Sequence, residues 1–198
     1  MRRTDLSWEL IIVNDGSTDK TGEILADLPV GELKVITHAQ NRGLGKGLQT
    51  GFAHARGEVV ITMDADCTHD PENIPVLYHA VKNGYDVAVA SRYIPGGGME
   101  DVPGWRQLIS KAANFIIGRM LSWPVKDGSS GYRAYRREVL ASLGDLASGF
   151  EVQAYILRQL KNLRFCEVPL KLKGRTLGKS KMRYMRLIGP YMAIIFEL

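Results

Sequence analysis

Cysteine is scarce: Cys67 and Cys166 stand far apart in a chain of 198 residues. That spacing excludes a disulfide framework and a cysteine-rich zinc module, and points to a reducing compartment. No apolar run reaches the roughly 18 residues that a membrane span needs. No apolar stretch follows Met1-Arg2-Arg3-Thr4 promptly, so no signal peptide is expected. A Walker loop is missing too, because Asn41-Arg42-Gly43-Leu44-Gly45-Lys46-Gly47 has neither the Gly-Lys-Ser/Thr ending nor the earlier glycine. Internal repeats and low-complexity tracts are absent. The last deficit is local. Between Glu167 and Glu197 there is no acidic residue, while Lys171, Lys173, Arg175, Lys179, Lys181, Arg183 and Arg186 fall in that interval. Such a segment is either a solvated basic face or an attractor of phosphates, anionic lipid heads or nucleic acid. Aromatic interleaving is limited to Tyr184, so nucleic acid is not an expected partner.

What the chain does have is an ordinary globular composition, 45% hydrophobic and 24% charged, and length enough for one domain with a proper core. Strand and helix signals alternate. Trp8–Val13, Leu33–Thr37, Val59–Ile61, Asp86–Ala90 and Phe165–Leu172 read as strands. Pro169 marks the last as an edge or a bulge. Helices are expected through Ile24–Leu28, with Ser17 or Thr18 as N-cap, then through Leu44–Ala55, Pro71–Val81, Leu108–Met120 after a loop that runs to Trp105-Arg106, and Glu151–Leu163. This order predicts right-handed crossovers and a mostly parallel sheet flanked by helices. Leu187–Leu198 is apolar but short, which leaves an interfacial helix, a packed terminal helix or the start of a membrane segment open.

The chemistry gathers at strand ends. Val59-Val60-Ile61 runs into Asp64 and Asp66, separated by one small residue. If the extension holds, both carboxylates point the same way from the carboxyl edge of the sheet, where open α/β sheets bind ligands. Paired carboxylates suit a hard divalent cation, Mg²⁺ or Mn²⁺, shared with a diphosphate. The plain alternative is that Asp70-Pro71 is a turn, Asp66 a helix cap and Asp64 a solvated side chain. Other strands deliver Asp15 and Arg92. Farther on, Ser110 follows Arg106 by one helical turn and shares its face.

Val-Asn-Asp-Gly-Ser-Thr-Asp (13–19), Asn-Arg-Gly-x-Gly (41–45), Asp-Ala-Asp (64–66), Ser-Arg-Tyr (91–93), Trp-Arg-x-x-Ile-Ser (105–110), Ser-Gly-Tyr-Arg (130–133) and Gly-Lys-Ser-Lys-Met (178–182) occur in this order. Together they resemble the family 2 glycosyltransferases, within them the dolichol-phosphate mannosyltransferase and polyprenyl-phosphate glycosyltransferase branch. The resemblance implies a GT-A α/β fold over 1–187, a single catalytic domain, followed by the apolar segment 188–198. It implies inverting transfer of mannose or glucose from a nucleotide-diphospho-sugar, such as GDP-mannose, to a polyprenyl (dolichyl) phosphate. The enzyme would work at a membrane surface, on its cytoplasmic face, as a peripheral or membrane-associated protein. By resemblance, Asp15 and Asp64 lie at the nucleotide and Asp66 holds the Mg²⁺ or Mn²⁺, while Thr68 stands where some members carry a Gln ligand and is a poorer one. His69 follows Asp66 closely enough to be a ligand, but packing or capping in the loop is the expected role. Arg92, Arg106 and Ser110 match the acceptor-phosphate positions, and Arg175 and Lys181 the clamp on the donor phosphates. Asp127 would be the base in relatives that glycosylate hydroxyls; here a structural or sugar-binding role is expected.

Two departures stand out. The family's opening strand, with Pro-x-Tyr-Asn-Glu, is not present, so an N-terminally truncated fold with exposed sheet edges is expected. Tyr155 stands where relatives often carry an acid. The alternatives are a family 2 enzyme acting on a glycan or other hydroxyl, and a non-catalytic fragment.

Overall fold

The structure, a computed structural model, describes residues 6–149 and 151–174. The first strand, β1 (Leu10–Asn14), is followed by α1 (Thr21–Ala26) and β2 (Leu33–Thr37). Then come α2 (Leu44–His54), β3 (Val59–Thr62), a 3₁₀ turn at Pro71–Asn73, α3 (Ile74–Lys82) and β4 (Val87–Ser91). The second half holds β5 (Gly98–Met99), α4 (Gly104–Met120), β6 (Arg133–Arg136), α5 (Arg137–Leu140), α6 (Val152–Gln159), β7 (Phe165–Pro169) and β8 (Lys171–Leu172).

The central sheet has the order β3-β6-β4-β7. Strand β6 is antiparallel to both β3 and β4, so those two run parallel to each other, and β7 is parallel to β4. The sheet is therefore mixed, and the sequence reading had no strand at Arg133–Arg136. β1 and β2 form a parallel pair of their own, not hydrogen-bonded to the larger sheet, and β5 pairs with β8. Pro169 ends β7 at the sheet's edge, as a residue without an N–H must.

β4 explains the layering. All five of its residues are buried, which requires cover on both faces. Val87 and Val89 join Val152, Ile156 and Leu157 of α6 on one side. Ala88 and Ala90 join Leu77 and Val81 of α3 on the other. The alternation of the pleat thus sorts large from small side chains between two helices.

Two local expectations are corrected. α1 starts at Thr21, not after Ser17 or Thr18; Asp19 Oδ1 accepts the Thr21 N–H at 3.0 Å instead. α6 stops at Gln159 rather than Leu163. The helix after β3 is entered as expected at Pro71. Asp70 Oδ1 accepts the Glu72 N–H at 3.0 Å, and Gly84, with φ of 107°, closes the helix's far end.

Candidate active site

β3 ends at Thr62, because its partner β6 begins at Arg133 and the Thr62 hydroxyl turns to donate to the Gly131 carbonyl at 2.7 Å. Extension therefore does not hold to Asp66. Asp64 and Asp66 sit on the loop beyond, which turns sharply at Cys67, φ 61°. Asp66 Oδ1 accepts from the Thr68 hydroxyl at 2.7 Å and from its N–H at 3.2 Å. Thr68 thus orients Asp66. Asp64 is exposed, and a side chain at Gly131 would lie 3.4 Å from its Oδ1.

His69 is the buried centre of this loop. Its Nδ1 accepts the Asp64 N–H at 3.2 Å, its Nε2 lies 3.9 Å from Asp64 Oδ2, and its ring stacks on Tyr132, with centroids 4.8 Å apart. Burial pushes its pKa down; the Asp64 and Asp66 charges oppose that without reversing it. A neutral imidazole with Nδ1 occupied props the loop from beneath. The charges of Arg92 and Asp127 also act on this ring, in opposite directions. Among the described residues no group of three or more His, Cys, Asp or Glu could hold a metal. Two oxygen-bearing side chains on one loop fit a hard cation that takes its remaining ligands from a bound diphosphate.

The opposite wall is cationic. Arg92 leaves β4 at the same edge from which the acidic loop leaves β3. Its Nε and Nη2 each donate to Asp127 at 2.7 Å, and its backbone N–H donates to Asp127 Oδ2 at 3.0 Å. Asp127 is fully buried, and Ser129 Oγ accepts from Arg92 Nη2 at 2.7 Å. On α4, Ser110 Oγ lies 2.7 Å from the Tyr93 hydroxyl, and Arg106 stacks over Trp105 at 5.1 Å. Between β4's end and α4 opens a cleft of about 570 Å³, lined by Arg92, Tyr93, Gln107 and Lys111 among others.

Asp15 lies in a separate clamp. Its Oδ1 accepts from His38 Nδ1 at 2.6 Å and from the Arg42 N–H at 2.9 Å, and its Oδ2 accepts the Gly43 N–H at 2.8 Å. His38 Nε2 in turn meets Thr50 Oγ1 at 2.9 Å. Burial raises the Asp15 carboxyl, but these donors outweigh it and hold it below its ordinary value. The Asn-Arg-Gly-x-Gly motif is thus tied to Asp15 by its own backbone.

Arg175, Lys181 and the segment 188–198 lie outside the described residues. The start of the basic segment is visible: Lys173 Nζ donates to Asp70 Oδ2 at 2.8 Å, and the Lys173 N–H to the Thr68 carbonyl at 3.2 Å. Sequence reasoning missed Tyr93 and His38. It gave no role to Arg133, which is fully buried and donates to the carbonyls of Gln153 and Gly128 at 3.1 and 2.8 Å. Arg133 had stood only as a letter in a motif.

Residues 1–144 match the family described as Glycosyl transferase family 2. The chain belongs to that family. It is 38% identical over 201 residues to a dolichol-phosphate mannosyltransferase of Pyrococcus furiosus, covering 98% of this chain and 55% of the relative. It is 37% identical to a polyprenol monophosphomannose synthase of Mycolicibacterium smegmatis, covering 87% of this chain and 69% of that one. An undecaprenyl-phosphate mannosyltransferase of Micrococcus luteus is 36% identical, with 88% and 75% covered. The chain thus spans about half the length of the first of these relatives. Among solved structures, glucosyl-3-phosphoglycerate synthase of Mycobacterium tuberculosis with Mn²⁺, UDP-glucose and phosphoglyceric acid superposes with a TM-score of 0.66 at 20% identity. It covers 95% of this chain and 66% of that one, a likeness that shows the GT-A fold.

Proposed function

We propose that this family 2 domain transfers mannose, with inversion, from GDP-mannose to a polyprenyl phosphate at a membrane surface. The observation that carries the reading is that β3 and β4 run parallel and release the Asp64/Asp66 loop and Arg92 at one edge of the sheet, with Tyr93 next to Arg92 reaching Ser110 of α4. Names support the sugar and the acceptor: those of all three relatives pair mannose with a polyprenol's phosphate.

The chemistry asks for cations more than for a base. A phosphate monoester is mostly dianionic at pH 7, since its second pKa is about 6. It attacks without losing a proton. What opposes it is the donor's diphosphate: at about 4 Å and an effective dielectric of 20, each like-charge pair costs about 4 kcal/mol. Arg92, Arg106 and Ser110 would take the acceptor phosphate, and Arg175 and Lys181 the donor side. Asp66, with Asp64 beside it, would hold Mg²⁺ or Mn²⁺ against the diphosphate, with Asp15 and Asp64 on the nucleotide's side. Such an ion supplies positive charge to the leaving diphosphate. Thr68 and His69 orient this loop rather than ligate, since the Thr68 hydroxyl donates to Asp66 and His69 Nδ1 is engaged. Asp127 is a poor general base for a hydroxyl acceptor, being fully buried and bidentate to Arg92.

α4 supports the membrane surface. Leu108 and Phe115 are 69% and 73% exposed, and Trp105, Ile109, Ile116 and Met120 are exposed beside them. Arg106, Lys111 and Arg119 lie on the same helix, which has no acidic residue. Exposed apolar and basic side chains together suit an anionic lipid surface. No helix among the described residues is long and apolar enough to cross a membrane. The segment 1–187 would be the catalytic domain, and 188–198 a further apolar contact.

Titration calorimetry of the protein with GDP and with UDP, each with Mn²⁺ and with chelator, tests the donor side. GDP binding that needs the metal is expected. Binding of UDP alone would reassign the donor, and metal-independent binding would remove Asp66 from the metal role.

A further inference from the structure

Tyr93 follows Arg92 directly off β4, and its two ends do different things. Its N–H donates to the Oγ of fully buried Ser91 at 3.3 Å, which fixes the turn out of the strand. The Arg92 guanidinium lies 5.0 Å from the Tyr93 ring centroid. At that distance a cation is attracted to a phenol face. Arg92 is therefore held from two sides, by the bidentate Asp127 carboxylate and by the ring of its own neighbour. Tyr93's far end reaches α4, where its hydroxyl lies 2.7 Å from Ser110 Oγ.

One side chain thus connects the strand end that carries Arg92 to the helix that carries Ser110 and Arg106. It also stands between the 570 Å³ cleft and a neighbouring cavity of about 320 Å³ bounded by Lys111, Phe115 and Trp123. A serine hydroxyl has one proton and two lone pairs. If Tyr93 donates into Ser110 Oγ, the serine proton is turned outward and is available to an anionic oxygen. The pair then has one proton left, that of Ser110, for a phosphate oxygen, which can only accept.

We propose that Tyr93 is the positioning residue of the acceptor-phosphate site: its ring sets the Arg92 guanidinium and its hydroxyl aims the Ser110 proton at the same phosphate. This rests on the polyprenyl-phosphate reading of the site. Nothing in the reaction passes through Tyr93 itself, and it forms no bond to the substrate.

Tyr93→Phe removes the hydroxyl and keeps the ring; Tyr93→Leu removes both. Steady-state transfer from GDP-mannose to a short polyprenyl phosphate is measured for wild type and both variants, with each substrate varied in turn. The Phe variant is expected to raise KM for the polyprenyl phosphate about 3- to 10-fold, the size of one neutral hydrogen bond. KM for the nucleotide sugar should stay at its wild-type value. The Leu variant should raise the acceptor KM further. An unchanged acceptor KM in Tyr93→Phe overturns the proposal, and so does an equal rise in both KM values, which a merely structural role would give. A wild type with GDP-dependent binding but no transfer to the phosphate overturns the acceptor reading itself, and this proposal with it. Should Tyr93→Leu not fold, the Phe variant alone decides.

Discussion

Both carboxylate oxygens of Asp15 are engaged by the protein itself, by His38 and by two backbone N–H groups of the loop at Arg42 and Gly43. The carboxylate joins the end of β1 to the start of α2 and faces inward to do so. Its folded pKa lies below the ordinary value, so its stabilisation is fully present above the unfolded carboxylate pKa of about 4. That contribution is lost as pH falls through the folded value. Asp15→Asn should therefore destabilise the protein at pH 7 by about 1–3 kcal/mol, through loss of charge-assisted bonds. The gap to wild type should close as the pH is lowered, because protonated Asp15 is then as poor an acceptor as Asn. Urea unfolding at pH 7 and at pH 3 to 4 checks this, and a gap that widens in acid would refute it. Residue chemistry was legible in part. The sequence marked Asp15, Asp64, Asp66, Arg92 and Ser110 as polar groups at strand ends or on one helix face. It could not show that Asp15 and Asp127 are held by protein donors, because His38, Arg42 and Arg92 meet them only through tertiary packing.

Among the elements, α2 shows why its glycines occur where they do. A Cβ on Gly45 would sit 1.8 Å from the Ala147 carbonyl oxygen, and one on Gly43 2.3 Å from that of Ser148. Gly43 also has φ of 89°, which a side chain disfavours. These glycines let the loop before α6 lie directly on the helix start. They do not form a phosphate cradle: the Arg42 and Gly43 N–H groups are given to Asp15. Gly45→Ala should push that loop off and cost about 1–3 kcal/mol, as overpacking does. Gly47→Ala, which meets nothing within 4 Å, should be neutral or slightly stabilising. Chemical denaturation of both variants separates them, and equal midpoints would contradict the packing argument. Helices α2, α3 and α4 were legible from their apolar spacing. Strand β6 was not. Its residues Arg133-Ala134-Tyr135-Arg136 carry arginine at both ends, and nothing local tells a buried Arg133 from a solvated one. Only insertion between β3 and β4, with two carbonyls to receive the guanidinium, makes that strand stable.

At the scale of the whole molecule, alternation of strands and helices was enough to give the layered α/β fold. The register that brings β3 and β4 to one edge depends on the unforeseen strand between them. That register sets a carboxylate loop against a cationic wall, and α4 adds an exposed apolar and basic surface beside it. On the proposed reading these charges serve two anionic substrates rather than a hydroxyl that must first lose a proton. The most direct test offers two acceptors of equal chain length in anionic vesicles, a polyprenyl phosphate and the corresponding polyprenol, to the protein with labelled GDP-mannose and Mn²⁺. Mannosyl transfer to the phosphate alone is expected, with the linkage inverted at the anomeric carbon and turnover lost on adding chelator. Transfer to the alcohol at a comparable rate would contradict it, because the site would then need a base that the Arg92–Asp127 pair does not provide.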